Sequence, residues 1–106
     1  MIIVDANVAV EYRKIPLFFY KREIAFTAPV LSEIRRLAEE KKDGVLLDLV
    51  GGVRVIETGE KIADNSIIEA ALTEKCPVAT FDRILIGRLK KEGIDVLRSR
   101  GEIIGA

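Results

Sequence analysis

The chain has no histidine and no tryptophan, one cysteine, one methionine and three prolines. Without histidine there is no Ser-His-Asp triad, no Cys-His dyad, no imidazole base and no His-containing zinc site, so any chemistry falls to carboxylates, hydroxyls, lysines or a bound ion. Cys76 alone can close no internal disulfide, which fits a reducing compartment, and its place before Pro77 at a strand start reads as inert packing. The net charge is zero, so the molecule as a whole is not steered toward a polyanion and any nucleic-acid contact must come from local patches. No apolar run approaches the roughly 20 residues needed to cross a bilayer, and the N-terminus lacks the basic region and cleavage site of a secretory signal; a cytoplasmic location is expected. Glutamine is absent too, while Ile, Glu, Lys and Arg abound, a bias shown by hyperthermophile proteins.

What is present suffices for one domain over residues 1–106, because 49% apolar and 32% charged residues in 106 describe a soluble globular chain with a single core. Ile2-Ile3-Val4 reads as a short strand buried on both faces that stops abruptly on Asp5. A helix with Val8, Val10 and Tyr12 on its apolar side follows, capped by Asp5 or Asn7 and ended by Pro16. Ile15-Pro16-Leu17-Phe18-Phe19-Tyr20 reads as a helix covering one face of the sheet, in preference to an oligomer or partner groove. Residues 24–28 are the second strand, and Pro29 opens a helix with Val30, Leu31, Ile34, Leu37 and Ala38 at helical spacing. Asp43 starts a short helix stopped by Gly51-Gly52, and residues 53–56 are the third strand. Asp64 lies at the N-cap or first turn of the next helix, whose apolar residues are Ile67, Ile68, Ala70, Ala71 and Leu72. Residues 76–80 form the fourth strand, running through Phe81 into Asp82 and a helix with Ile84, Leu85 and Leu89; residues 94–97 are the fifth strand, and the tail from Gly101 is expected to be half ordered. Such alternation predicts an α/β fold: three layers, α/β/α, around a central, mostly parallel five-stranded sheet.

That topology gathers strand ends and helix starts on one edge of the sheet, where ligands bind in open α/β sheets. Asp5 and Asp82 come from strand ends, and Glu33 and Asp64 from helix starts, so all four are expected to converge. Taken singly, each acid is an ordinary helix cap or dipole partner. Taken together they repel, since unit charges about 4 Å apart oppose each other by roughly 1 to 4 kcal/mol, and such crowding implies a cation. Oxygen-only donors select a hard ion, Mg²⁺ or Mn²⁺, and the chemistry such an ion supports is phosphodiester hydrolysis. Asn7 and Thr80 are placed to orient the carboxylates. Arg13, Lys14 and Arg83, near the strand ends, are candidate phosphate contacts, and Tyr12, Phe19 and Tyr20 are candidate base-stacking or core residues. Most of the remaining cations, Arg88, Lys90, Lys91, Arg98 and Arg100 among them, read as solvated helix faces.

Four segments, Ile3-Val4-Asp5-Ala6-Asn7, Pro29-Val30-Leu31-Ser32-Glu33, Ala63-Asp64-Asn65-Ser66-Ile67-Ile68 and Pro77-Val78-Ala79-Thr80-Phe81-Asp82, resemble in order the acidic motifs of PIN-domain nucleases. With the Gly87-to-Arg98 segment that follows, the chain looks more like compact archaeal PIN proteins related to rRNA-processing factors than like VapC-type toxins. The resemblance covers nearly the whole chain, although the segments between the first and third motifs are short. It implies a Mg²⁺- or Mn²⁺-dependent endoribonuclease whose acidic quartet matches Asp5, Glu33, Asp64 and Asp82, with Asn7 and Thr80 as supporting polar residues. It implies a PIN-like fold, homodimers, a single-stranded or structured RNA substrate, and an antitoxin or a ribosome-biogenesis partner. Two rival readings stand beside it. One is a catalytically weak PIN-like module that binds RNA or protein, in rRNA processing or as a toxin-antitoxin component. The other is a phosphoacceptor receiver domain, disfavoured because Arg98 stands where that fold needs a lysine and an aspartyl acceptor is missing.

Overall fold

The structure is a computed structural model that describes residues 1–13 and 23–106. The stretch from Ile15 to Tyr20, read above as a helix, and the candidate contact Lys14 lie outside the described residues. Five strands form one sheet: β1 (Ile2–Val4), β2 (Ile24–Thr27), β3 (Arg54–Ile56), β4 (Val78–Ala79) and β5 (Val96–Leu97). Its order is β3-β2-β1-β4-β5 and every pair is parallel. The expected mostly parallel sheet is thus wholly parallel among the described residues. The central strand β1 is paired on both sides, Ile3 registering with Ala25 on one side and with Val78 on the other. Ile3 and Val4 are completely buried, which is why this short strand reads as an unbroken apolar run rather than an alternating one.

The described residues form six helices: α1 (Ala6–Tyr12), α2 (Ala28–Glu40), α3 (Gly44–Gly51), α4 (Ala63–Glu74), α5 (Arg83–Lys91) and α6 (Arg100–Gly105). Most begin on a side chain that satisfies an orphan amide of the first turn. Asp5 accepts from Ala6, Thr27 from Val30, Asp43 from Leu46, Asp82 from Ile84 and Leu85, and Ser99 from Glu102. Pro29 falls in the first turn of α2, where its missing N–H costs nothing. Helix α4 is the exception, since its N-cap, Ile62, has no capping side chain. Helix α5 gives way at Gly93, whose φ of +73° suits glycine.

Right-handed crossovers convert this order into layers. The connections β1 to β2 and β2 to β3 step one way across the sheet, which puts α1, α2 and α3 on one face. Those from β3 to β4 and β4 to β5 step the other way, which puts α4 and α5 on the opposite face. The reversal falls between β1 and β4, the switch point at whose carboxyl edge ligands bind in such sheets.

Three local expectations change, one being that Leu72, expected on the apolar side of α4, is 46% exposed. The tail is an ordered helix, α6, because Ser99 caps it and Ile103 enters the core with no exposed surface; the single buried residue is too sparse a pattern to reveal a helix in sequence. Ile84, expected on the apolar side of α5, is 76% exposed, while Leu85 and Leu89, one turn apart, carry the burial. We therefore expect Ile103→Ala to lower unfolding free energy by roughly 2 to 5 kcal/mol in urea titrations, where a disordered tail would leave the midpoint unchanged.

Candidate active site

Asp5 leaves β1 at the switch point with 7% of its surface exposed. The N–H of Ala6 donates to its Oδ1 at 2.7 Å, the hydroxyl of Thr80 to its Oδ2 at 2.7 Å and the amide of Asn7 to the same oxygen at 3.4 Å. Thr80, fully buried just beyond β4, also accepts from the N–H of Asp82 at 3.1 Å, and Asn7 Oδ1 accepts from the N–H of Phe81 at 3.3 Å. One hydrogen-bonded chain therefore runs from the Asp82 backbone through Thr80 to the Asp5 carboxylate. It joins the carboxyl ends of β1 and β4 and fixes the Asp5 rotamer. Asn7 and Thr80 both donate to the Asp5 carboxylate.

Burial pushes the Asp5 carboxyl above its usual range, against the lowering pull of the Thr80 and Ala6 hydrogen bonds, and the charges of Asp64 and Glu33 push it further the same way. Those two half-buried acids thus act on Asp5 from the first turn of α4 and from α2. The α4 start is held by a second hydroxyl pair that sequence reasoning passed over. Thr27 at the end of β2 and Ser66 are both fully buried with oxygens 2.7 Å apart. Since Ser66 also donates to the Ala63 carbonyl at 2.6 Å, and Thr27 also accepts from Val30 N–H at 3.4 Å, Thr27 is the donor of the pair. A threonine ending a strand and a serine two residues after an acid were the available signals.

Asp82 is placed differently. Its Oδ1 accepts from the amides of Ile84 and Leu85 at 2.9 and 3.1 Å, so it acts as a helix cap, and its backbone N–H is linked to Asp5 through Thr80. Among the described residues no three acidic side chains are drawn up as a ready cation cage. Asp5, Asp64 and Glu33 interact through their charges, and the Asp82 backbone is joined to Asp5 by a hydrogen-bonded chain through Thr80.

The cations divide sharply. Arg13, expected at phosphate, sits at the far end of α1 from Asp5, roughly 12 Å along the helix axis. Its guanidinium pairs with Asp43 at 2.8 Å and donates to the Val10 carbonyl at 2.6 Å. It is a structural clamp, because a helix that starts at the active edge carries its last residues away from it. Arg88 donates to Asn65 at 2.6 Å, tying α5 to α4, and Arg100 is bound by Glu11. Arg83 is exposed beside Asp82 and pairs with no described residue.

No family model matches the sequence, and no curated protein matches it. Solved structures do. A PIN-domain endonuclease, Utp24, shares 26% identity with a TM-score of 0.69 over 95% of this chain and 86% of its own. A PilT N-terminus domain protein from the hyperthermophilic archaeon Sulfolobus solfataricus P2 superposes with a TM-score of 0.70 at 15% identity, over 98% of this chain and 91% of its own. The fold is that of a PIN domain. A domain of a functionally unknown protein from Methanocaldococcus jannaschii shares it at 19% identity and a TM-score of 0.65, over 93% of this chain and 90% of its own.

The donors at this PIN-domain edge fit a hard divalent ion. They are carboxylate oxygens, one of them stripped of water and opposed by two like charges, and the lone cysteine is at the opposite, amino edge of β4. The same opposition gives a stability prediction in metal-free buffer. A carboxyl raised in the folded state binds its proton more tightly there than in the unfolded chain. Its contribution to stability is therefore lost as pH climbs from the ordinary value of 3.8 through the raised one. Asparagine caps a helix about as well as aspartate but carries no charge. Asp5→Asn should melt at a higher temperature than the parent at pH 7, with the gap opening as pH rises above about 4. A variant that melts lower at every pH would make Asp5 a purely structural cap.

Proposed function

We propose that this protein is a metal-dependent endoribonuclease that hydrolyses RNA phosphodiester bonds at the β1–β4 edge. One observation carries the reading: a buried carboxylate, Asp5, is locked by Thr80 and Ala6 while Asp64 and Glu33 oppose its charge. Such an arrangement costs stability unless a cation joins it. The likeness to a PIN-domain endonuclease at 26% identity supports the same reading. In this proposal Asp5, Glu33, Asp64 and Asp82 hold Mg²⁺ or Mn²⁺. The ion would supply an activated water and charge neutralisation at the phosphate.

The protein's own part is positioning. Thr80 and Asn7 hold Asp5 in one orientation, and the Thr27–Ser66 pair fixes the helix start that carries Asp64. Asp82 keeps Oδ1 on its helix amides, leaving Oδ2 without a bond to any described group. Arg83, next in sequence, is the candidate phosphate contact among the described residues that no described acid holds. The rival reading, an RNA- or protein-binding module with little catalysis, draws on the lack of a drawn-up three-acid cage among the described residues.

Manganese separates the two readings. It should raise the melting temperature of the parent and not of Asp5→Asn, and it should support cleavage of a labelled RNA that falls by roughly a hundredfold or more in Asp5→Asn and Asp82→Asn. Thr80→Val, which keeps every carboxylate, should weaken the manganese-induced shift by roughly ten- to a hundredfold in apparent affinity. RNA binding without manganese-dependent cleavage in the parent would favour the module.

A further inference from the structure

The zero net charge of the chain conceals a division across the active edge. On the β3 side, the cleft beside α2 and the loop leading into α4 is lined by Glu57 and Glu60 against Lys61. On the β5 side, a groove of about 410 Å³ lies between α5 and the turn after β5, lined by Phe81, Arg83, Ile86, Gly87, Lys90 and Arg98. It holds three cations and no acid. None of Arg83, Lys90 and Arg98 forms an ion pair with a described residue, whereas Arg13, Arg88 and Arg100 are each held by a partner.

Helix geometry explains the groove. Arg83, Gly87 and Lys90, at i, i+4 and i+7, share one stripe of α5, while Leu85 and Leu89 face the core and Arg88 faces α4. The stripe spreads its charges over roughly 10 Å, and Arg98, the first residue after β5, closes the other bank. Gly87 leaves the middle open, since a Cβ there would meet nothing within 4 Å. At the upper end Phe81 is backed by the Tyr12 ring, with centroids 6.4 Å apart, and its N–H is bound to Asn7, the same side chain that touches Asp5. The groove therefore begins at the acidic centre.

Resting on the nuclease reading, we propose that this groove seats the phosphates of the substrate strand on one side of the scissile bond, with Lys90 and Arg98 as binding residues in addition to Arg83. Unpaired cations on an exposed concave surface attract phosphate and release its counterions. The acids on the β3 side repel it, so the strand runs away from the metal centre along α5. A half-buried, rigidly backed Phe81 forms an aromatic wall where the strand leaves the acids, a surface on which a base stacks.

The test is binding without turnover. Anisotropy of a fluorescein-labelled single-stranded RNA 12-mer is measured in EDTA across a salt series, for the parent, Lys90→Glu, Arg98→Glu, Gly87→Glu and the control Lys91→Glu. Lys90→Glu and Lys91→Glu make the same change in net charge one residue apart in the last turn of α5, but only Lys90 lines the groove. Lys90→Glu, Arg98→Glu and Gly87→Glu should each weaken binding about tenfold or more. Arg98→Ala should also reduce the salt slope by roughly 0.7, the loss expected for one phosphate contact on a single strand. Lys91→Glu should stay within about twofold, with all variants matched to the parent by circular dichroism. Equal losses in Lys90→Glu and Lys91→Glu, or parental binding in the groove variants, would overturn the proposal. Manganese-dependent cleavage, run in parallel, keeps the two ideas apart. Cleavage with groove-independent binding removes the groove alone, and groove-dependent binding without cleavage removes the nuclease reading alone.

Discussion

A single desolvated negative charge organises this molecule. Asp5 ends the innermost strand, where neighbours on both sides exclude water, and the fold keeps the carboxyl group there by giving it three hydrogen-bond donors. Donors lower the cost of a buried charge without abolishing it, and Asp64 and Glu33 raise that cost again. Local strain of this kind persists only where the surrounding structure overdetermines it, and such sites are disproportionately functional. The two hydroxyl chains, Thr80 to Asp5 and Thr27 to Ser66, provide that support. Each joins the end of one strand to an element that starts elsewhere in sequence.

The parallel topology makes the arrangement possible. Every strand delivers its last residue, and every following helix its first, to the same edge, so residues far apart in sequence meet without long loops. The same rule sends helix ends away from that edge. It gives Arg13 a structural partner in Asp43, whereas Arg83, at a helix start, stands beside the acids. Helix α5 then uses separate faces for separate purposes: Leu85 and Leu89 for the core, Arg88 for α4, and Arg83 with Lys90 for the outer groove.

Much of the fold was legible because strands buried on both faces and helices at regular spacing leave strong signatures. Ile2 to Val4, the Pro29 helix start and the helix from Asp43 to Gly51 all appear near their expected bounds. The failures have physical causes. Helix α6 buries only Ile103, too little for a periodic signal, and its cap was the sole clue. Ile84 looks like a core residue in sequence, but one step around α5 from Leu85 turns it outward. Lys90 and Arg98 are exposed, as read from sequence, but the groove that they line is formed by two segments brought side by side only in three dimensions.

The sequence by itself determined the α/β class, the order of strands and helices and the placing of acids at element ends, because each depends on local periodicity or on a residue's place at an element's end. It also excluded imidazole chemistry, since no histidine is present. Only the tertiary structure decided how those acids are held, with Asp5 opposed by Asp64 and Glu33 and one oxygen of Asp82 capping its helix. It decided as well which of the described cations are held by a partner. Charge interaction and hydrogen-bond partnership depend on distances between residues up to 89 positions apart, and a chain of letters records order along the backbone, not separation in space.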